Sequence, residues 1–259
     1  MLILVSLAGF TLLLYAIFRR KRKKKIEVTG TFPKQYRSIL EQHVEFYNNL
    51  TEESKVEFEN RMWHFLNTTT ISGVNTTVED LDRVLIAASA IIPIFAFKDW
   101  EYVNLNTVLL YPDSFDEEFN QAGEGRTTLG VVGEGAYQNL MVLSQHELRQ
   151  GFINKTGKNN TAIHEFVHLL DKTDGAVDGV PEFMLSKKYM EPWLKLIHRK
   201  INEIRQNDSD INPYGATNEA EFFAVVSEYF FERPDLLQEK HPGLSEILTQ
   251  IFRQEPQKD

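Results

Sequence analysis

The chain has 259 residues, enough for one sizeable core, and no cysteine. Disulfides and thiolate metal ligands are therefore excluded, and any metal must be held by His, Asp or Glu. The formal net charge is −9; without the seven basic residues at 19–25 the balance is 28 − 7 = 21 Lys and Arg against 37 Asp and Glu, about −16, which argues against a nucleic-acid partner.

Met1 to Phe18 carry no charge and are mostly Leu, Ile, Val, Ala and Phe. As a helix they would reach about 27 Å, enough to cross a bilayer core. Arg19-Arg20-Lys21-Arg22-Lys23-Lys24-Lys25 follow at once. A signal peptide has the opposite order and a small-residue cleavage site, and no Ala-x-Ala occurs here. The positive-inside rule places residue 19 onward in the cytoplasm. The expectation is a single-pass membrane protein: a transmembrane anchor at 1–18, a basic juxtamembrane tether at 19–31, and a cytoplasmic domain at 32–259. Absence of cysteine fits that compartment. The Asn-x-Ser/Thr sequons at Asn49, Asn67, Asn75, Asn154, Asn159 and Asn207 are read as composition.

Phe32 to Asn67 has a helical period, with a second helix from about Glu52 to Leu66. A third opens at Val78-Glu79-Asp80-Leu81, runs through Ile92 and stops near Pro93. Val103–Tyr111 reads as a strand, with two further short strands at Thr127–Gly135 and Asn139–Ser144. After these come a helix around residue 165, a loop over 174–181, a long helix from about Ser186 to Gln206, and a helical pair from Asn218 to Phe252. Helices with a small β-sheet predict a helix-dominated α+β domain. Leu140–Ser144 is the best candidate for a strand whose edge could receive an extended substrate; an ordinary core strand is an equal reading.

The chemistry is carried by His164-Glu165-Phe166-Val167-His168. Residues four apart share one helical face, so both imidazoles can reach one zinc ion. Glu165, directly after the first histidine, projects where it can deprotonate a zinc-activated water. Asn160 or Thr161 can cap this helix, and Ile163, Phe166, Val167 and Leu170 form its buried stripe. Zinc needs a third protein ligand, and the residues leave three candidates: Asp174, Glu191, and the acidic segment Tyr214 to Ala224, with Glu228 in reserve. Glu221 also reads as a helix-capping residue after Asn218. Asp171 could fix the tautomer of His168, or simply lie on the helix surface.

His-Glu-Phe-Val-His-Leu-Leu-Asp (164–171), Asp-Gly-Val-Pro (178–181), Asn-Pro-Tyr-Gly-Ala-Thr-Asn-Glu-Ala-Glu-Phe-Phe-Ala (212–224) and Ser-Glu-Tyr-Phe-Phe (227–231) together resemble the Mlc titration factor A family of zinc peptidases, and more distantly the catalytic domain of anthrax lethal factor. The resemblance covers about Phe32 to Pro256. It implies a zincin-like metallopeptidase domain, Zn2+ as cofactor, Glu221 as third ligand, Tyr214 facing the metal, and a transcriptional regulator as partner. The N-terminal apolar run departs from the family's better known members, which look soluble.

The reading is a membrane-tethered zinc metallopeptidase acting on peptides or proteins. His164, His168 and Glu221 are the metal residues, and Glu165 and Tyr214 the catalytic ones. Because neutral imidazoles are needed, activity should fall below about pH 6. The alternative is a membrane-tethered binding or regulatory protein with a structural or vestigial zinc site.

Overall fold

The computed structural model describes residues 30–116, 120–121, 127–133 and 139–254. The expected anchor (1–18) and nearly all of the basic tether lie outside these residues. Among the described residues no helix is long and apolar enough to cross a membrane.

In chain order the elements are α1 (Lys34–His43), α2 (Glu45–Asn48), α3 (Glu52–Thr68), β1 (Thr70–Gly73), α4 (Asp80–Ile91), β2 (Leu105–Tyr111), β3 (Gly130–Val132), β4 (Asn139–Ser144), α5 (Gln145–Ile153), α6 (Thr161–Asp171), α7 (Lys187–Arg205), α8 (Glu219–Glu232), α9 (Pro234–Lys240) and α10 (Pro242–Phe252). Helices dominate and pack with one four-stranded sheet, which fits an α+β class. The sheet has the order β1-β2-β4-β3, parallel except for β3 against β4.

Several elements differ from the sequence expectation. The first helical stretch breaks at Val44, whose backbone is extended. β1 was not expected: Thr-Ile-Ser-Gly is short and half polar, and only parallel pairing with β2, Ile71 opposite Val108, makes it a strand. α5 was also missed; the Ser144 hydroxyl caps it by accepting the Glu147 N–H, and only Leu148, Gly151 and Phe152 are buried. The final helical pair is three helices, restarted by Pro234 and Pro242 at first-turn positions.

Leu140–Ser144 is not an edge. It lies in β4, between β2 and β3, with Met141, Val142 and Leu143 all buried. A continuous apolar run marks a strand covered on both faces, and that is the physical reason for the correction. The edge strand beside α6 is β3.

α6 is held in the core by Ala162, Ile163, Phe166, Val167, Leu169 and Leu170. Phe166 meets Phe65 and Tyr102 ring to ring. α8 lies across it and buries Phe222, Phe223, Val226 and Phe230.

A loop residue ties the end of α6 to α7 and packs closely against the start of α8. Gly179 donates its N–H to Asp171 Oδ2 (2.8 Å), and its carbonyl accepts from Trp193 Nε1 (2.7 Å). Its φ is +75°, and a Cβ there would lie 2.3 Å from the Glu219 carbonyl oxygen. Both facts demand glycine. Gly179→Ala should push the first turn of α8 away from α6. We expect a loss of at least about 2 kcal/mol in urea unfolding. A wild-type unfolding midpoint would show that the loop yields freely.

Candidate metal centre

His164 and His168 leave α6 one turn apart on the same face. The first turn of α8 meets them. Glu221 Oε2 lies 3.0 Å from His164 Nε2 and 3.4 Å from His168 Nε2, and the two ring nitrogens are 3.1 Å apart. These three side chains offer ligand atoms all within 4.8 Å of one another. The capping alternative for Glu221 is resolved locally: the Asn218 side chain caps α8 by accepting the Glu221 N–H (2.8 Å). The Glu221 carboxylate is left to face the imidazoles.

The tautomer of His164 follows from its other nitrogen. Nδ1–H donates to Glu228 Oε1 (2.7 Å), so in the neutral ring Nε2 is the nitrogen left with a lone pair, facing the Glu221 carboxylate. Lone pairs converging from two imidazoles and a carboxylate repel unless a cation or proton lies between them. That donor set fits zinc. The charges agree: burial opposes charging of His164, but Glu228 and Glu221 outweigh it and raise its proton affinity. Burial likewise disfavours the Glu221 carboxylate, yet hydrogen bonds from His164 and His168 hold it well below the usual carboxylate range.

Glu165 is 5% exposed, and burial raises its pKa. A Cβ added at Gly130 of β3 would come within 2.7 Å of its Cγ, so the edge strand runs directly against it. Sequence reasoning missed Gly130, although a glycine inside a strand does signal close approach. The Tyr214 ring lies 6.0 Å from the His164 ring, on the 3-10 turn Pro213–Ala216. Burial first, then Glu221, push its hydroxyl pKa up to about 12.

The other candidates lie elsewhere. Asp174 accepts the Ala176 N–H and closes a loop turn, and Glu191 is an exposed partner of Lys195. Glu228 is not a reserve ligand: it supports His164 from behind and also accepts the Asn160 N–H. Asp171 does not bond His168. It accepts from Gly179, and its Oδ1 and the His168 Nδ1 have no partner among the described residues.

The model of the glucose-regulated metallo-peptidase M90 family matches residues 18–253. The chain belongs to this family. The chain is 30% identical over 244 residues to an uncharacterized protein of Synechocystis, covering 86% of this chain and 85% of that one. It is 28% identical over 188 residues to Mlc titration factor A of Pectobacterium atrosepticum, 68% of this chain and 70% of that protein. Against Mlc titration factor A of Escherichia coli the figures are 30% over 167 residues, 58% and 59%. Membership in M90 makes the chain a member of a metallopeptidase family, and the His164, His168 and Glu221 cluster is its candidate metal site.

Glu228→Ala should lower zinc affinity by roughly 10–100-fold in a competition titration, because His164 loses the partner that sets its tautomer. Unaltered affinity would mean that α6 packing alone orients the ring. The raised proton affinity of His164 also sets a pH dependence. Below its folded pKa the site holds a proton that zinc must displace, so apparent affinity should keep climbing above pH 7, beyond the value near 6 expected from ordinary imidazoles. A zinc affinity that is flat from pH 7 to 9 would contradict this.

Proposed function

We propose that this chain is a zinc-dependent peptidase in which His164, His168 and Glu221 hold the metal and Glu165 is the general base. The observation that carries the reading is the convergence of these three ligand atoms beside a buried glutamate and an edge strand. When bound, zinc would act as a Lewis acid, polarising the scissile carbonyl and acidifying water. Glu165 takes the proton of the attacking water and returns it to the leaving amine; a pKa raised by burial suits both steps. Tyr214 remains protonated at neutral pH and donates to the developing oxyanion. β3 pairs only with β4 among the described residues, so an extended substrate can add along its other edge, against Glu165.

Glu165→Gln should retain about one zinc per chain while turnover of a peptide substrate falls by roughly 10²-fold or more. Tyr214→Phe should keep zinc and lose turnover. Glu221→Ala should lose zinc, while Asp174→Ala keeps it. Unchanged turnover in Glu165→Gln would refute the mechanism.

A second reading rests on relatives named Mlc titration factor A: the domain binds a transcriptional regulator. A buried glutamate beside the first ligand has no task in a purely structural site, which favours the peptidase. If wild type cleaves no member of a broad peptide library yet captures a regulator, the binding reading replaces it.

From the sequence of residues 1–25 alone we also propose a single-pass anchor with the domain in the cytoplasm. A reporter active only in the cytoplasm, fused after Asp259, should be active; protease protection that places the domain outside would reject this.

A further inference from the structure

A cavity of about 50 Å³, open to solvent, is bordered by α2, α5, α6 and α8 and is lined by none of the candidate metal ligands. Phe46, Ile92, Phe152 and Phe231 form apolar walls, and Glu45 and Glu232 supply two carboxylates. Glu45 is exposed. Glu232 accepts one hydrogen bond, from Asn160 Nδ2 at 2.8 Å, and no other bond or ion pair reaches it among the described residues. His43 and Lys155 also border the cavity, but neither pairs with Glu232.

Glu232 is half-buried, and a carboxylate partly withdrawn from water without a cation is costly. Burial, then Glu228 and Glu45, push the Glu232 pKa up to about 8 against the single Asn160 hydrogen bond. A cation in the cavity would replace the lost hydration through a charge-assisted hydrogen bond. Phenylalanine faces attract a cation and also pack against methylenes. The volume admits an ammonium group on a short stem.

We propose that this cavity binds the ammonium end of a short alkylamine, with Glu232 as counter-ion, Glu45 at the rim, and Phe46, Phe152 and Phe231 around the methylene stem. A free amine and a lysine side chain of another protein share this chemistry. The site involves no step of peptide hydrolysis, so it stands or fails independently of the peptidase reading.

The test is calorimetric titration of the full zinc-loaded chain with two probes, n-butylammonium chloride and Nα-acetyl-lysine N-methylamide. At least one should bind saturably, with a dissociation constant of about 1 mM or below. n-Butanol, with the same stem and no charge, should not bind. Glu232→Gln should weaken binding at least about tenfold, a change of ~1.4 kcal/mol. It keeps an acceptor for Asn160 and removes a half-buried charge, so it should fold at least as stably as wild type at pH 8. Glu45→Lys, at an exposed position, tests the same charge complementarity if Glu232→Gln misfolds, and should also weaken binding. Affinity should rise between pH 7 and 9, as Glu232 gives up its proton while the ammonium keeps its own. Tighter binding of the lysine probe identifies a protein lysine as the source; tighter binding of butylammonium identifies a free amine. Undiminished binding to the variants, or no saturation by either probe at roughly 50 mM, overturns the proposal.

Discussion

Glu228 reaches from α8 to α6, where it accepts the Nδ1–H of His164 and the backbone N–H of Asn160. The group is only 6% exposed, and a buried carboxylate is tolerated when hydrogen bonds replace its hydration. One side chain thereby fixes the His164 tautomer and the position of α8 against α6. Asn160 is held twice, because its side chain also caps α6 through the Ile163 N–H and donates to Glu232. Glu221 lies seven residues before Glu228 on the same helix, so whatever seats Glu228 also seats Glu221.

The consequence is a centre with too much negative charge to be content alone. Glu165, Glu221 and Glu228 surround two imidazoles, and Glu232 lies one Asn160 side chain away. Without metal the balance is met by a proton on His164, and the surrounding carboxylates raise its proton affinity despite burial. A divalent cation would meet it better. Metal binding and the stability of this domain are then linked, since a ligand that binds only the folded state stabilises it by mass action.

What the sequence made legible was local. His164, Glu165 and His168 are spaced by the helix itself, and Asn160 and Asn218 are caps readable from their neighbours. Glu221 became distinguishable from Asp174 and Glu191 only through resemblance, because no local rule carries information across 57 residues. Glu228 was misassigned for the same reason: helical spacing places it on the Glu221 stripe but cannot say which nitrogen of His164 it meets. β1 and the edge role of β3 were hidden because strand order is a tertiary property. Gly130 and Gly179 fall in the same class, since their necessity comes from Glu165 and the Glu219 carbonyl, neither of which is a chain neighbour.

Tyr214 shows how an exposed side chain can still be preorganised. It is 54% exposed, so little packing holds its ring. The turn is fixed instead by polar bonds: Asn212 Oδ1 accepts the Tyr214 N–H, and the Thr217 hydroxyl donates to the Tyr214 carbonyl. Four residues earlier, Asp210 gathers Lys158, Tyr229, Lys240 and His241. Burial disfavours its charge, but those four partners together hold its pKa below the usual carboxylate range. Its contribution is therefore fully present above the unfolded value of 3.8 and lost only as pH falls below that. Metal ligation by imidazoles competes with protons at far higher pH. In the proposed zinc peptidase, acidification should release the metal while Asp210 still holds its partners, so acid inactivation would begin at the histidines.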